Sequence, residues 1–177
     1  NVSENEWKGQ KVKMTKFEEL QKVVATLRAP DGCPWDRKQT HCSLKPCCME
    51  EAAEVICGIN ILEKTGNADN LKEELGDLLL QVVMHAQIAE EEGLFTMDEV
   101  VEGITQKMIR RHPHVFGEAA VSDSGEVLTQ WADIKQQEKS GKEWMDQYLP
   151  EAFAESKKLI DRAAGRKAES GKKSGDN

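Results

Sequence analysis

Aromatic residues are scarce in this chain: four Trp, four Phe and one Tyr make up 5% of 177 residues. No segment alternates apolar and polar residues with the period of a strand. Sheets pack best with aromatic and β-branched side chains on a two-residue period, so these absences exclude a sheet-based fold and leave an all-α one. Long apolar runs are missing too; none reaches the about 18 residues of a membrane-spanning helix. Residues 1–13 have no apolar core of a secretory signal, so the expected location is cytoplasmic. The five cysteines (Cys33, Cys42, Cys47, Cys48, Cys57) include no C-x-x-C, and the adjacent Cys47-Cys48 suits neither zinc nor an ordinary disulfide. They are expected to be reduced thiols, several packing as small hydrophobes. An excess of positive charge is also lacking. Lys+Arg 24 against Asp+Glu 32 gives a net charge of −8, which excludes nucleic acid and anionic membrane as general partners. A polyanionic substrate would need a local attraction on such a surface, and a bound divalent metal is the candidate.

The residues present, 38% hydrophobic and 32% charged, suit one soluble domain with tails. Residues 1–13 are expected to be a flexible leader, 14–164 a helical domain and 165–177 a disordered tail with almost nothing apolar. Phe17, Leu20, Val24 and Leu27 recur at helical spacing behind a capping box of Thr15 and Glu18. Pro30, Gly32 and Pro34 break the chain into a loop. A second helix is predicted from near Ser43 to about Glu63, with Pro46 in its first turn and an apolar stripe of Val55, Ile59 and Leu62. A turn at Thr65–Ala68 and an Asp69 cap lead into a third helix. Its Leu71, Leu75, Leu78, Leu79, Val82, Val83, Ala86 and Ile88 surround most of the axis, which predicts the buried centre of a bundle. A second capping box, Thr96 to Glu99, opens a fourth helix that stops before Pro113. Residues 112–124 read as loop, followed by helices near Glu126–Lys139 and Glu151–Ala164.

Carboxylates carry the chemistry. Glu50-Glu51-x-x-Glu54 lies on the second helix and Glu73-Glu74-x-x-Asp77 on the third. Three-residue spacing puts Glu51 and Glu54 on one face, and Glu74 and Asp77 likewise. A short turn folds the two helices into an antiparallel hairpin that can bring the pairs face to face. Four converging carboxylates repel one another unless a hard cation sits among them, and all-oxygen ligation favours Mg²⁺ or Mn²⁺ over zinc. Magnesium shares its shell with phosphates, so the arrangement suits phosphoryl chemistry. Paired Glu on a helix is also the ordinary pattern of a solvated face; here both pairs share their helices with apolar residues. A di-iron bundle would need Glu-x-x-His, which does not occur, and His85 reads as a satisfied core histidine.

The fourth helix ends in Lys107-x-x-Arg110-Arg111-His112-Pro113-His114, with Lys107 and Arg111 on one face. Arg forks phosphate and Lys supplies a point charge, though cations at a helix C-terminus also simply favour its dipole. Trp131, and Trp35 in the Gly32–Asp36 loop, could pack in the core or stack on a nucleobase.

Taken together these segments resemble the MazG family of nucleoside triphosphate pyrophosphohydrolases. The resemblance runs through Leu27-Arg28, Gly32-Cys33-Pro34-Trp35-Asp36, Gln39-Thr40-His41 and Glu50-Glu51-x-x-Glu54. It continues through Glu73-Glu74-Leu75-Gly76-Asp77-Leu78-Leu79, Gln81-Val82-Val83, His85-Ala86, Arg110 to Gly117, and Trp131-x-x-Ile134-Lys135, in order over about residues 15–140. It implies an all-α, dimer-forming bundle of the NTP pyrophosphatase type, in which Glu51, Glu54, Glu74 and Asp77 hold Mg²⁺ (or Mn²⁺) beside Glu50. Lys107 and Arg111 would hold phosphate and Trp131 would lie near the base; from the residues themselves, Arg110 joins the basic patch and Trp35 is a second candidate to stack on the base. The reaction implied is attack of metal-activated water between the α and β phosphates of an NTP or dNTP, giving NMP and pyrophosphate. The third helix, apolar on most sides in a chain of few short helices, needs further neighbours, so a homodimer or higher even oligomer is expected. Cys47, Cys48, Met49 and Ala53 depart from the bulkier residues frequent in the family. Some relatives carry inactive copies of the domain, so the alternative is a catalytically silent nucleotide- or metal-binding module.

Overall fold

Helix ends in this chain are set by local chemistry. In the computed structural model, which describes residues 14–119 and 123–173, α1 spans Lys16–Arg28. Thr15 and Glu18 form the expected capping box: the Glu18 backbone N–H donates to Thr15 Oγ1 at 3.2 Å, and the Thr15 N–H donates to Glu18 Oε2 at 2.6 Å. Past α1 the chain turns, and a 3₁₀ turn at Asp36–Lys38 is tied back by Arg28, whose Nη1 donates to the carbonyls of Asp36 and Gln39. The chain forms two units, one ending at Gln39 and one starting at Thr40. The first contains α1 and this turn; every later element belongs to the second.

The second unit is organised by a helical hairpin of α2 (Lys45–Thr65) and α3 (Asp69–Glu91). Pro46 is accommodated in the first turn of α2, where its missing N–H has no intrahelical partner to lose. Gly66 ends the helix in the left-handed region (φ 74°), its N–H donating to Leu62 O at 2.8 Å. The two helices approach closely at Gly58, where an added Cβ would lie 2.7 Å from Leu71 Cα. Asp69, expected to cap α3, is instead its first residue, and Asn67 Oδ1 accepts the Asp69 N–H at 2.8 Å. The cap is shifted because an Asx side chain two residues upstream reaches that N–H first.

From Thr96, a second capping box (Glu99 N–H to Thr96 Oγ1, 3.3 Å; Thr96 N–H to Glu99 Oε2, 2.7 Å) starts α4, Met97–Arg111. Pro113 disfavours helical backbone at the residue before it, and α4 accordingly ends at His112. A short helix α5 (Pro113–Phe116) occupies part of the segment expected as loop, since the same proline is well placed to open a helix. Asp123 caps α6 (Ser124–Lys139) by accepting the N–H groups of Gly125 and Glu126. A 3₁₀ segment, Glu143–Tyr148, leads into α7, Leu149–Lys173.

Among the described residues every regular element is a helix, as expected, and no helix is long and apolar enough to cross a membrane. The last helix does not stop near Ala164 but runs on to Lys173, within the segment expected as a disordered tail. The Lys, Arg, Ala and Glu of this stretch are good helix formers and outweigh Gly165 and Gly171, and ion pairs from Arg166 and Lys167 to α2 hold its start. The expected leader, residues 1–13, lies outside the described residues.

Leu44, Val83, Met84, Ala86, Ile88, Ala89 and Met97 are the buried apolar side chains of the second unit. α3 is not the fully surrounded helix that its sequence suggests. Neighbours cover it on the α2 and α4 sides, while Leu75, Leu79 and Val82, on one face, are 39–51% exposed. Ile56 and Ile59 of α2 are exposed too.

Candidate metal centre and basic cavity

The α2–α3 hairpin brings carboxylates together as helical spacing suggests. Glu51 and Glu54 of α2 and Glu74 of α3 each offer an oxygen, and these atoms lie within 4.8 Å of one another. Glu74 is 8% exposed and accepts a 2.8 Å hydrogen bond from Asn70 Nδ2, one turn earlier on the same helix. Burial, and then the charges of Asp77, Glu74 and Glu50, raise the Glu51 carboxyl above its ordinary range; Lys167 opposes them. Asp77 thus stands close enough to act on Glu51 but is not among the three converging oxygens. Glu50 turns to Arg166, whose Nη2 lies 2.8 Å from its Oε2, and Glu54 meets Lys167 Nζ. Partly buried, mutually repelling, all-oxygen donors fit a hard divalent cation and poorly fit a soft one.

The basic residues form a separate grouping. Lys107, Arg110 and Arg111 of α4, with Lys135, Glu138 and Lys139 of α6, line a cavity of about 510 Å³ continued by Lys142, Met145, Asp146 and Leu149. Glu138 is clasped by both guanidiniums: Arg110 Nε lies 2.7 Å from Oε1, while Arg111 Nη2 and Nε lie 2.7 and 3.0 Å from Oε2. The Arg111 contact, helped by Arg110, holds the Glu138 carboxyl below the usual carboxylate range. Sequence reasoning missed Glu138, because nothing in α6 marks one glutamate among its neighbours until two arginines from α4 are folded against it. None of Glu50, Glu51, Glu54, Glu74 and Asp77 lines this cavity.

Trp131 is 36% exposed, its ring 5.9 Å from that of His112. It does not line the basic cavity. Trp35, 60% exposed, belongs to the first unit, where its carbonyl accepts from Gln39 Nε2. His85 is half-buried and has partners, though of a kind the sequence did not suggest. Its Nδ1 lies 2.8 Å from His41 Nδ1 with the rings stacked, and its Nε2 lies 3.3 Å from Cys48 Sγ. Burial and His41 lower its pKa, and the two facing nitrogens require that at least one ring be neutral. All five cysteines are free thiols.

The geometry defines a class: a helical-hairpin protein that gathers acidic side chains between two helices and basic side chains in a separate cavity of the same unit. Comparison with known proteins narrows it. Residues 39–116 match the MazG nucleotide pyrophosphohydrolase domain, and this stretch of the chain belongs to the MazG family. The chain is 56% identical over 126 residues to the nucleoside triphosphate pyrophosphohydrolase/pyrophosphatase MazG of Thermotoga maritima, covering 71% of this chain and 46% of that protein. It is 42% identical over 130 residues to the nucleoside triphosphate pyrophosphohydrolase of Escherichia coli (strain K12), covering 73% and 48% respectively. To the uncharacterized protein YabN of Bacillus subtilis it is 48% identical over 136 residues, 77% of this chain and 27% of YabN. The chain thus spans about half, or less, of the length of these relatives.

Proposed function

We propose that the chain is a divalent-metal-dependent nucleoside triphosphate pyrophosphohydrolase, converting an NTP or dNTP to NMP and pyrophosphate. The observation that carries this reading is the convergence of Glu51, Glu54 and Glu74 within the stretch that matches the MazG domain. With Asp77 beside them, these residues would hold Mg²⁺, or Mn²⁺. The ion, when bound, supplies an activated water and charge neutralisation at the scissile phosphate. Lys107, Arg110 and Arg111 position the departing pyrophosphate, Arg111 by its fork and Lys107 as a point charge. For that, Glu138 must yield its hold on the two guanidiniums to phosphate. Trp131 is the candidate to stack on the base within the second unit, and Glu50 is held by Arg166 beside the carboxylate cluster. The working form is a homodimer or higher even oligomer in the cytoplasm, with the open apolar faces of α2 and α3 covered by a second copy.

Incubation with each common NTP and Mg²⁺ tests this directly. Pyrophosphate is expected as the first product; orthophosphate released first would end the reading. Tight Mg²⁺–nucleotide binding in calorimetry with no turnover at high enzyme concentration would establish the silent binding module instead.

A further inference from the structure

α7 lies along α2 and is tied to it by a series of ion pairs that follow both helices in the same direction. Lys45 pairs with Glu155 at 3.0 Å, Glu50 with Arg166 at 2.8 Å, and Glu54 with Lys167. The last two reach the carboxylate cluster. Glu54, one of the three converging carboxylates, pairs with Lys167. The acidic side chains of Glu50 and Glu54 are 26% and 27% exposed, whereas Arg166 and Lys167 are each 57% exposed. The cations thus cap the cluster from the solvent side and can leave it without opening the core.

We propose that Lys167 is a built-in competitor for the divalent cation, so that loading the Glu51/Glu54/Glu74 cluster expels its ammonium from Glu54 and releases the end of α7 from α2. The inference rests on the reading of that cluster as a metal centre. An ammonium touching Glu54 and a dication held by the same carboxylate would stand a few ångströms apart, and like charges at that range in a partly buried site repel strongly. One must leave, and the flexible, half-exposed lysine is the one that water can resolvate. Arg166 grips Glu50, outside the converging set, and tethers the helix without occupying the metal's place. Metal occupancy and the docking of α7 are then linked, each weakening the other.

Calorimetric titration of the full chain with Mn²⁺ alone, at low salt and without nucleotide, tests the competition. Lys167→Met is expected to bind Mn²⁺ roughly threefold to tenfold more tightly than the parent, as an exposed ion pair and its like-charge repulsion are removed. Lys157→Met removes the same charge from α7 at a residue paired with Asp161, and is expected to leave the affinity within about twofold. Equal or weaker binding by Lys167→Met, or an equal gain in Lys157→Met, overturns the proposal. In the parent, saturating Mn²⁺ should speed amide exchange in residues 160–167, and unchanged exchange there means that Lys167 keeps its place and the proposal fails. If the parent binds no Mn²⁺ at all, the metal centre itself falls, and the pyrophosphohydrolase reading with it.

Discussion

Glu138 shows how a single carboxylate can hold two guanidiniums together in a basic cavity. Its carboxylate occupies two guanidiniums that the proposed function assigns to phosphate, so it acts as a stand-in for the anion the cavity would take. Because its pKa is lowered in the folded protein, its contacts add stability above the ordinary carboxylate range and lose it as pH falls through the folded value. Glu138→Gln is therefore expected to lower the melting temperature at pH 7, with the difference closing below about pH 4. An undiminished difference at low pH would show that the charge is not the cause. On the catalytic side, Arg111→Ala is expected to lower kcat/KM by about 10²-fold with a clear kcat component, since charge builds on the departing pyrophosphate. Lys107→Ala should cost less. Steady-state kinetics within about twofold of the parent for Arg111→Ala would reduce that arginine to a helix-end charge. Glu54→Gln and Asp77→Asn are expected to reduce turnover by at least about 10²-fold with the fold retained; near-normal activity at millimolar Mg²⁺ would remove the residue from the metal site. The convergence of Glu51, Glu54 and Glu74 was legible because three-residue spacing puts each pair on one face of its helix, whereas that Asp77 stays outside the three was not. Glu138, Arg166 and Lys167 were not, since each takes its meaning from a partner on an element distant in sequence.

Among the helices, the starts of α1 and α4 were readable to the residue, because a capping box is a local device with a fixed spacing. The end of α7 was not, because beyond Ala164 the helix is tied to α2 by the charges of Arg166 and Lys167 rather than marked by an apolar period in sequence. Equally silent in sequence was Gly58, which reads as an ordinary small residue in an apolar stripe until Leu71 is brought against it. Its lack of a side chain sets how closely α2 and α3 approach, and that spacing aligns Glu51 and Glu54 with Glu74. In Gly58→Ala the new methyl meets Leu71 backbone, which cannot swing aside as a flexible side chain would. The expected outcome is a loss of about 1–3 kcal/mol in denaturant unfolding, typical of overpacking. Divalent-metal affinity should fall with it as the hairpin is pushed apart. A variant as stable as the parent would mean that the helices slide at no cost and that the hairpin spacing is not what aligns the carboxylates.

Over the whole molecule, the unresolved question in the sequence was what surrounds α3. Its apolar residues circle most of the axis, and a chain of short helices supplies few neighbours; in the structure, Leu75, Leu79 and Val82 stay exposed on one face, with Ile56 and Ile59 exposed on α2. An amphipathic pattern shows that a face is apolar but not whether its cover comes from the same chain or another, which is why the sequence suggested a fully buried helix. A face of this kind left in water is unfavourable at roughly 25 cal/mol per Å² of apolar surface, and a net charge of −8 resists non-specific clumping without covering it. Symmetric pairing of two copies, each laying its α3 face on the other, buries both patches with one interface. Light scattering at micromolar concentration is therefore expected to give at least twice the 19.8 kDa chain mass. Leu79→Lys together with Val82→Lys, which places charges in the middle of the patch, should return the particle to the monomer mass with helical content retained. A parent chain that already scatters as a monomer would leave the α3 face without a partner copy and remove the homodimer from the proposed function.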